Sequence, residues 1–184
     1  MKLENKVAIV SGGARDIGRA ISMELARQGA RVVVNYFGST ERAQETVEAI
    51  TSEGGEAIAV KGDLTKAPDV RHLVEEAGRA FGDKIDILVN NAGGIVARKT
   101  IDEMDEEFFN YVMQLNVTST FLLTQAAVKK MGEGGSIINI ASQAGRDGGG
   151  PGASAYSAAK GAVMTFTRSM AKELGARGIR VNAL

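Results

Sequence analysis

Short apolar runs alternate along the chain with longer stretches in which apolar residues recur every three or four positions. The short runs predict buried strands over 7–11, 31–35, 57–60, 85–89, 136–141 and 179–184. The longer stretches predict helices over 17–28, 40–53, 68–81, 105–131 and 155–176, with Thr40 as a cap and Pro68 as an opening residue. A glycine-rich loop over 143–153 is expected before the last helix. This alternation indicates one α/β domain over 1–184, with a doubly wound parallel sheet in three layers.

Composition narrows the range of functions. The 184 residues hold 22 Lys plus Arg against 22 Asp plus Glu, so charge gives no basis for binding nucleic acid or an anionic membrane. Cys is absent and His72 is the only histidine, which excludes disulfides, thiolate zinc sites and multi-histidine metal sites, so no metal is expected. Neither a membrane-length apolar run nor a signal-peptide core is present, which predicts a cytoplasmic protein without a membrane partner. The chain ends inside a strand-like segment with no turn after it, so we expect the complete protein to continue beyond Leu184.

A glycine-rich segment, Ser11 to Gly18, joins the first predicted strand to the first predicted helix. In a doubly wound sheet of the Rossmann type this turn binds phosphate, because the helix N-terminus offers unpaired N–H groups and glycine lets a pyrophosphate approach the backbone. A purely structural turn is the alternative interpretation. Asp16 adds a carboxylate, which would repel a diphosphate if it pointed inward and leave binding intact if it pointed outward. Arg15 and Arg19 are its candidate ion-pair partners.

Tyr156 is followed four residues later by Lys160, which places both side chains on one face of a helix, one turn apart. An ammonium beside a phenol stabilises the phenolate, as proton exchange with a substrate oxygen requires. The alternative is an ordinary surface pair. Ser142 closes the fifth strand, so we expect it at the same sheet edge as Tyr156, where its hydroxyl could fix a carbonyl oxygen. Asn116 stands mid-helix between apolar neighbours, which predicts a buried amide with a fixed partner.

These segments resemble the motifs of the classical short-chain dehydrogenase/reductase family. Ser11 to Gly18 is similar to the family's Thr-Gly-x-x-x-Gly-x-Gly fingerprint, with Ser11 in place of Thr and Asp16 in place of the middle glycine. Asn90 to Gly93 matches its Asn-Asn-Ala-Gly motif. Its Asn-Ser-Tyr-Lys tetrad is matched by Asn116, Ser142, Tyr156 and Lys160. The resemblance covers all 184 residues and is closest in appearance to the β-ketoacyl-acyl-carrier-protein reductases.

The resemblance implies reversible hydride transfer between a nicotinamide and a carbonyl carbon, without a metal. Tyr156 would be the acid/base, Ser142 would position the substrate oxygen, and Lys160 would bind the nicotinamide ribose and promote proton loss from the phenol. Asn116 would anchor a water in the proton relay. Further cofactor contacts implied by the resemblance are at Gly12, Ile17, Gly18, Asn91 and Gly93, with Asp63 on the adenine amino group and Leu64 giving a main-chain contact.

The choice between NAD(H) and NADP(H) is made just after the second strand, where a carboxylate would bind the adenosine ribose. This chain has Asn35-Tyr36-Phe37-Gly38-Ser39 there and no acid before Glu41. The resemblance also matches Arg15 to a basic position of NADP-preferring members. We therefore expect NADP(H) to be preferred over NAD(H), with Asn35 and Ser39 adding neutral hydrogen bonds.

The implied substrate is a ketone, either a small molecule or a 3-oxoacyl group on an acyl carrier, which is reduced to the alcohol. A sugar or polyol dehydrogenase of the same family is the alternative. From another class, a catalytically impaired homologue acting as a binding or assembly partner is a further alternative, motivated by Asp16 and by the C-terminal part that we expect to be missing. The resemblance also implies a homodimer or homotetramer, and the two long helices over 105–131 and 155–176 carry more apolar positions than one stripe needs.

Overall fold

Six short strands form one parallel sheet in the computed structural model, which describes residues 2–184. The strands are β1 (Val7–Val10), β2 (Arg31–Tyr36), β3 (Glu56–Lys61), β4 (Ile87–Asn90), β5 (Ser136–Asn139) and β6 (Arg180–Ala183). Their order across the sheet is β3-β2-β1-β4-β5-β6, and every neighbouring pair is parallel. The direction of winding thus reverses between β1 and β4, which is where a doubly wound sheet opens a crevice at its carboxyl edge.

Helices cover both faces of this sheet. They are α1 (Asp16–Arg27), α2 (Thr40–Ser52), α3 (Ala67–Phe81), α4 (Glu106–Met113), α5 (Ser119–Ala127), α6 (Ala144–Asp147) and α7 (Ser154–Gly175). On one face, α1 and α2 bury Ala26 and Ile50 against the strands. On the other face, α3, α5 and α7 bury Leu73, Leu123 and Leu174. The predicted three-layer, doubly wound α/β sheet is confirmed. Within residues 2–184, no helix combines the length and the apolar content needed to cross a bilayer.

The single helix predicted over 105–131 is divided in the structure. A π turn, Gln114–Thr118, separates α4 from α5, and α5 ends at Ala127. The hydroxyls of Ser119 and Thr120 donate to backbone carbonyls one turn earlier, at 2.6 and 3.0 Å, and so compete with the regular hydrogen bonds of the helix. The spacing of apolar residues did not indicate this turn, because a π turn shifts the apolar stripe by only one position.

Smaller differences concern the ends of elements. Ser39, not Thr40, caps α2, and its hydroxyl oxygen accepts a hydrogen bond from the backbone N–H of Arg42 at 3.3 Å. The loop predicted over 143–153 contains the short helix α6. Strand ends differ from the predicted ones by one or two residues, as expected where pairing rather than composition ends a strand.

Candidate active site

A cleft of about 680 Å³ opens at the carboxyl edge of the sheet. The residues that line it are Gly12, Ala14–Gly18, Tyr36–Ser39, Arg42, Asn91–Gly94, Leu115, Ile140–Ser142, Tyr156 and Lys160. A volume of this size suits a cofactor together with part of a substrate. The cleft brings the glycine-rich segment into the same site as the tyrosine–lysine pair, although the two stand near opposite ends of the sequence.

The glycine-rich turn between β1 and α1 leaves no room for side chains at its centre. Gly12 has a φ of +59°, which favours glycine. A Cβ at Gly18 would overlap the carbonyl oxygen of Gly12 and lie 2.6 Å from Nδ2 of Asn91. Asn91 fixes the carbonyls of the turn, because its Nδ2 donates to the carbonyl oxygens of Ser11 and Gly12 at 3.0 and 3.1 Å. Thr46 likewise donates to the carbonyl of Ala14 at 3.2 Å. Hydrogen bonds within the protein thus fix the conformation of the turn.

Asp16 lines the cleft with its side chain exposed to solvent. Its φ of +49° is unusual for a residue with a side chain, although Asp tolerates the left-handed region better than most residues. The side chain is 81% exposed, and Oδ2 lies 3.7 Å from Nε of Arg15. Among the hydrogen bonds of residues 2–184, none involves this carboxylate. The first N–H groups of α1 therefore stay open toward the cleft, as phosphate binding requires.

The adenosine end of the cleft differs in part from the prediction. Arg15 and Ser39 line the cleft, but Asn35 does not. Asn35 is 2% exposed, its Oδ1 accepts from the N–H of Gly12 at 3.2 Å, and its Nδ2 donates to two carbonyls that follow or end β3. Its amide is therefore occupied within the protein, and it shapes the glycine-rich turn instead of facing a phosphate. Arg42, which sequence reasoning missed, lines the cleft from the first turn of α2.

Asp63 and Leu64 also lie outside the cleft wall. Oδ1 of Asp63 accepts hydrogen bonds from the N–H and the hydroxyl of Thr65, at 3.0 and 2.7 Å, which is a local turn. The backbone N–H of Asp63 donates to Asp69 at 2.8 Å. Leu64 is 5% exposed and belongs to the core. Their contact with an adenine stays a prediction that rests on the resemblance.

At the other end of the cleft, Ser142, Tyr156 and Lys160 come together. Lys160 is 4% exposed, its Nζ donates to the carbonyl of Ile140 at 2.7 Å, and the same nitrogen lies 5.7 Å from the ring centre of Tyr156. Burial lowers the pKa of Lys160 to about 8. Oγ of Ser142 accepts from the N–H of Ala144 at 3.2 Å, so its own proton is free to be donated.

Asn116 occupies the centre of the π turn and is fully buried. Its Oδ1 accepts from the N–H of Gly94, and its Nδ2 donates to the carbonyls of Gly94 and Val112, at 2.9 to 3.0 Å. A Cβ at Gly93 would lie 2.5 Å from Oδ1 of Asn116 and 3.5 Å from Nζ of Lys160. Asn116 thus fastens the segment after β4 beside the lysine, which is the buried amide with a fixed partner that the sequence predicts.

A buried polar chain behind the site was missed by sequence reasoning. Asn90 Nδ2 donates to the hydroxyl of Thr124 at 3.0 Å and to Oδ1 of Asn139 at 2.8 Å. Asn139 in turn donates to the hydroxyl of Thr167 at 2.8 Å. The hydrogen bonds link α5, β4, β5 and α7, so they tie α5 and two central strands to the helix that carries Tyr156 and Lys160. An asparagine in the otherwise apolar run of β5 was the available signal.

The residues that line the cleft fit a nicotinamide dinucleotide. Gly12 and Gly18 keep the backbone bare at the open N-terminus of α1, where a diphosphate binds. Arg15 and Arg42 supply cations at one end, and Lys160 supplies a donor at the other. A doubly wound sheet with this turn at its switch point and a tyrosine–lysine pair across the cleft defines a dinucleotide-binding oxidoreductase.

Comparison with known proteins gives the family. A protein-family model described as short chain dehydrogenase matches residues 6–184. The chain therefore belongs to the short-chain dehydrogenase/reductase family, as predicted. An uncharacterized oxidoreductase of Methylorubrum extorquens is 47% identical over 183 residues, which cover 100% of this chain and 73% of that protein. A hydroxynaphthalene reductase-like protein of Metarhizium brunneum is 42% identical over 182 residues, which cover 99% of this chain and 67% of that protein. A short chain dehydrogenase of Burkholderia cenocepacia, solved in complex with NADP, has a TM-score of 0.95 at 38% identity and is matched over 100% of this chain and 74% of its own.

Proposed function

We propose that this protein uses NADP(H) to reduce a ketone to a secondary alcohol, with Tyr156 as the general acid. The observation that carries the proposal is that Ser142, Tyr156 and Lys160 line the same cleft as the glycine-rich turn. The similarity to a solved short chain dehydrogenase in complex with NADP supports the choice of cofactor. The absence of a carboxylate in the segment from Tyr36 to Ser39 supports it as well, because a carboxylate there would repel a 2′-phosphate.

The proposed roles of the side chains rest on the family resemblance and on their positions in the cleft. When bound, the reduced nicotinamide supplies the hydride that becomes the new C–H bond of the alcohol. The hydroxyl of Ser142, whose oxygen is already held by the N–H of Ala144, donates to the substrate carbonyl oxygen and fixes its position. The phenol of Tyr156 gives its proton to that oxygen as negative charge develops on it.

Lys160 supports the proton transfer from a fixed position. Its Nζ is fixed by the carbonyl of Ile140 at 2.7 Å and lies beside the ring of Tyr156. In its protonated form it stabilises the phenolate that remains after Tyr156 has given up its proton. The hydrogen bonds of Asn116 to the main chain of Gly94 and Val112 hold the segment after β4, where a Cβ at Gly93 would lie 3.5 Å from Nζ of Lys160.

For the substrate we propose a ketone of the 3-oxoacyl type or a cyclic aromatic ketone. The first follows from the resemblance to β-ketoacyl-acyl-carrier-protein reductases. The second is favoured by the relative named as a hydroxynaphthalene reductase-like protein. A panel of 3-oxoacyl thioesters, fused-ring ketones, and sugars or polyols, assayed by loss or gain of NADPH absorbance, separates these classes. A hundredfold preference in kcat/KM for one class assigns the substrate.

The decisive variant is Tyr156→Phe, with Tyr111→Phe as its control. Tyr111 is 49% exposed on α4 and does not line the cleft. We expect Tyr156→Phe to lower kcat by about 10²–10⁴-fold with NADPH binding unchanged, since removing a general acid has effects of that size. Activity above a tenth of wild type would refute the role of Tyr156. Cofactor binding without turnover on any carbonyl would favour the binding or assembly role over catalysis.

We also propose that the protein works as a homodimer or homotetramer in the cytoplasm. Exposed aromatic side chains on the flanking helices support an assembly, since Phe121 is 43% exposed and meets Phe166 edge to face at 6.5 Å. Light scattering coupled to size-exclusion chromatography tests this, and a monomer at micromolar concentration would contradict it.

A further inference from the structure

The helix that carries the tyrosine–lysine pair, α7, is hydrogen-bonded to the end of β5 at two places. Nζ of Lys160 donates to the carbonyl of Ile140 at 2.7 Å. Further along α7, the hydroxyl oxygen of Thr167 accepts a hydrogen bond from Nδ2 of Asn139 at 2.8 Å. Residues 160 and 167 share one face of the helix, because their separation is close to two full turns. The second contact therefore acts on the same face of α7 as the first.

The side chain of Thr167 is fixed by two hydrogen bonds at its hydroxyl. The residue is 4% exposed, and the hydroxyl donates to the carbonyl of Val163 at 2.7 Å while it accepts from Asn139. Asn139 is fully buried and is held from its other side, since its Oδ1 accepts from Nδ2 of Asn90 at 2.8 Å. The hydroxyl of Thr167 and the amide of Asn139 are thus both engaged within the protein.

Around these two hydrogen bonds, α7 packs through apolar side chains. Val163 is buried between the two hydrogen-bonding residues, and Met170 and Leu174 join the core on that side of the sheet. Apolar packing is non-directional, whereas a hydrogen bond weakens steeply as its length and angle change. A small slide of α7 along its axis would therefore change the apolar contacts gradually but would break the bond between Thr167 and Asn139.

We propose that Thr167 is a positioning residue for the reaction, which holds α7 against β5 so that Lys160 stays on the carbonyl of Ile140. The proposal rests on the function proposed above and adds a residue that does not line the cleft. Without the hydroxyl, the buried amide of Asn139 would lose its acceptor, and a shift of helix against strand would follow as that amide finds another. A misplacement of about 1 Å at a catalytic group can cost about a hundredfold in rate.

The environment of Lys160 provides a readout that does not depend on catalysis. Tyr156 is the titratable side chain that faces its ammonium, with the ring centre 5.7 Å away. The segments packed against Nζ from beyond β4 and from the π turn bring Gly93 and Asn116, which carry no charge. Within residues 2–184 Lys160 forms no ion pair, and burial lowers its pKa to about 8. A shift of α7 that lets water reach Nζ should therefore raise this pKa toward its ordinary value of 10.5.

The experiment compares wild type with Thr167→Val, which keeps the shape of the side chain and removes the hydroxyl. Lysine labelled with ¹³C at Cε reports the pKa of Lys160 by NMR, with Lys160→Met assigning the signal, and loss of NADPH absorbance reports kcat on a ketone. We expect Thr167→Val to raise the pKa of Lys160 from about 8 by about half a unit or more and to lower kcat about tenfold. Thr167→Ser, which retains the hydroxyl, should restore both values.

Two further variants separate position from stability. Thr167→Cys places a weak acceptor at the same point and should fall between wild type and Thr167→Val, so it carries the test if Thr167→Val folds poorly. Val70→Ala is the matched control, because Val70 is buried in the core on α3 and does not line the cleft. Its cavity should lower the urea midpoint and leave the pKa of Lys160 and kcat at their wild-type values.

The outcomes are distinct. A raised pKa of Lys160 with a lowered kcat in Thr167→Val, restored in Thr167→Ser and absent from Val70→Ala, supports the proposal. A wild-type pKa or a wild-type kcat in folded Thr167→Val overturns it, and so do the same changes in Val70→Ala, because lost stability would then explain them. If wild type reduces no ketone, the proposed function fails, and the pKa of Lys160 still decides whether Thr167 positions the lysine.

Discussion

The buried ammonium of Lys160 should make the stability of this protein rise with pH. The side chain is 4% exposed, and burial lowers its pKa from 10.5 to about 8. Between these two values the unfolded chain binds more protons at Lys160 than the folded chain does. The free energy of unfolding therefore increases as the pH rises through this window, and the whole cost of burying the charge is present below pH 8. The perturbation that tests this is Lys160→Met, which keeps the length of the side chain and removes its charge.

A shift of one pKa unit corresponds to about 1.4 kcal/mol, so the full difference amounts to roughly 3 kcal/mol. Methionine loses the hydrogen bond to the carbonyl of Ile140, which costs about 1–3 kcal/mol at every pH. The absolute stability of Lys160→Met is therefore close to that of wild type at neutral pH. The informative quantity is the change in the difference between the two proteins, which should reach about 2–3 kcal/mol in favour of wild type between pH 7 and pH 10.

Urea unfolding followed by circular dichroism at pH 7, 8.5 and 10 measures this quantity. Lys172→Met, an exposed lysine on the same helix, is the matched control and should track wild type at all three values. A difference between wild type and Lys160→Met that stays constant from pH 7 to pH 10 would show that the ammonium is not held in a low-dielectric site. Removing the lysine should also abolish turnover, so stability and activity should separate in this variant.

Two further predictions concern the scaffold of the site. Gly18→Ala should lower the free energy of unfolding by about 1–3 kcal/mol and abolish cofactor binding, because its Cβ would overlap the carbonyl of Gly12. The control is Gly132→Ala, which lies outside the cleft and whose Cβ would meet nothing within 4 Å; it should leave both urea unfolding and fluorescence titration unchanged. Equal stability of the two variants would contradict the close approach. Asp86→Asn should lower stability by about 1–3 kcal/mol at pH 7, since the carboxylate accepts the N–H of Val7 at 3.1 Å near two lysines. Burial raises the pKa of Asp86, but hydrogen bonds from Lys84, Val7 and Lys6 hold it below 3.8, so its contribution is complete above that pH and is lost as the pH falls through the lowered value. Urea midpoints of wild type and Asp86→Asn should therefore converge as the pH falls below 3.8, and a gap that stays constant would oppose this account.

The spacing of residues along the sequence was enough to predict much of the fold and part of the site. Six apolar runs and the helical stripes between them predicted the strands, the helices and their parallel arrangement, because burial on both faces requires continuous apolar strands. The separation of Tyr156 and Lys160 by one helical turn, and the position of Ser142 at a strand end, predicted their meeting at one sheet edge. Each of these inferences depends on neighbours in sequence and on the period of a helix or strand.

Only the tertiary structure shows which residues distant in sequence form hydrogen bonds and which side chains line the cleft. The sequence predicts Asn35 as a ligand contact. In the structure its side-chain amide forms hydrogen bonds with the N–H of Gly12 and with carbonyls near β3 instead. The sequence left the direction of Asp16 open, and the structure shows its carboxylate exposed to solvent beside Arg15. Arg42 lines the cleft from the first turn of α2, which no sequence pattern indicated. Hydrogen-bond partners and side-chain directions depend on how helices and strands pack against each other. The spacing of residues along the sequence predicts the helices and strands but not this packing.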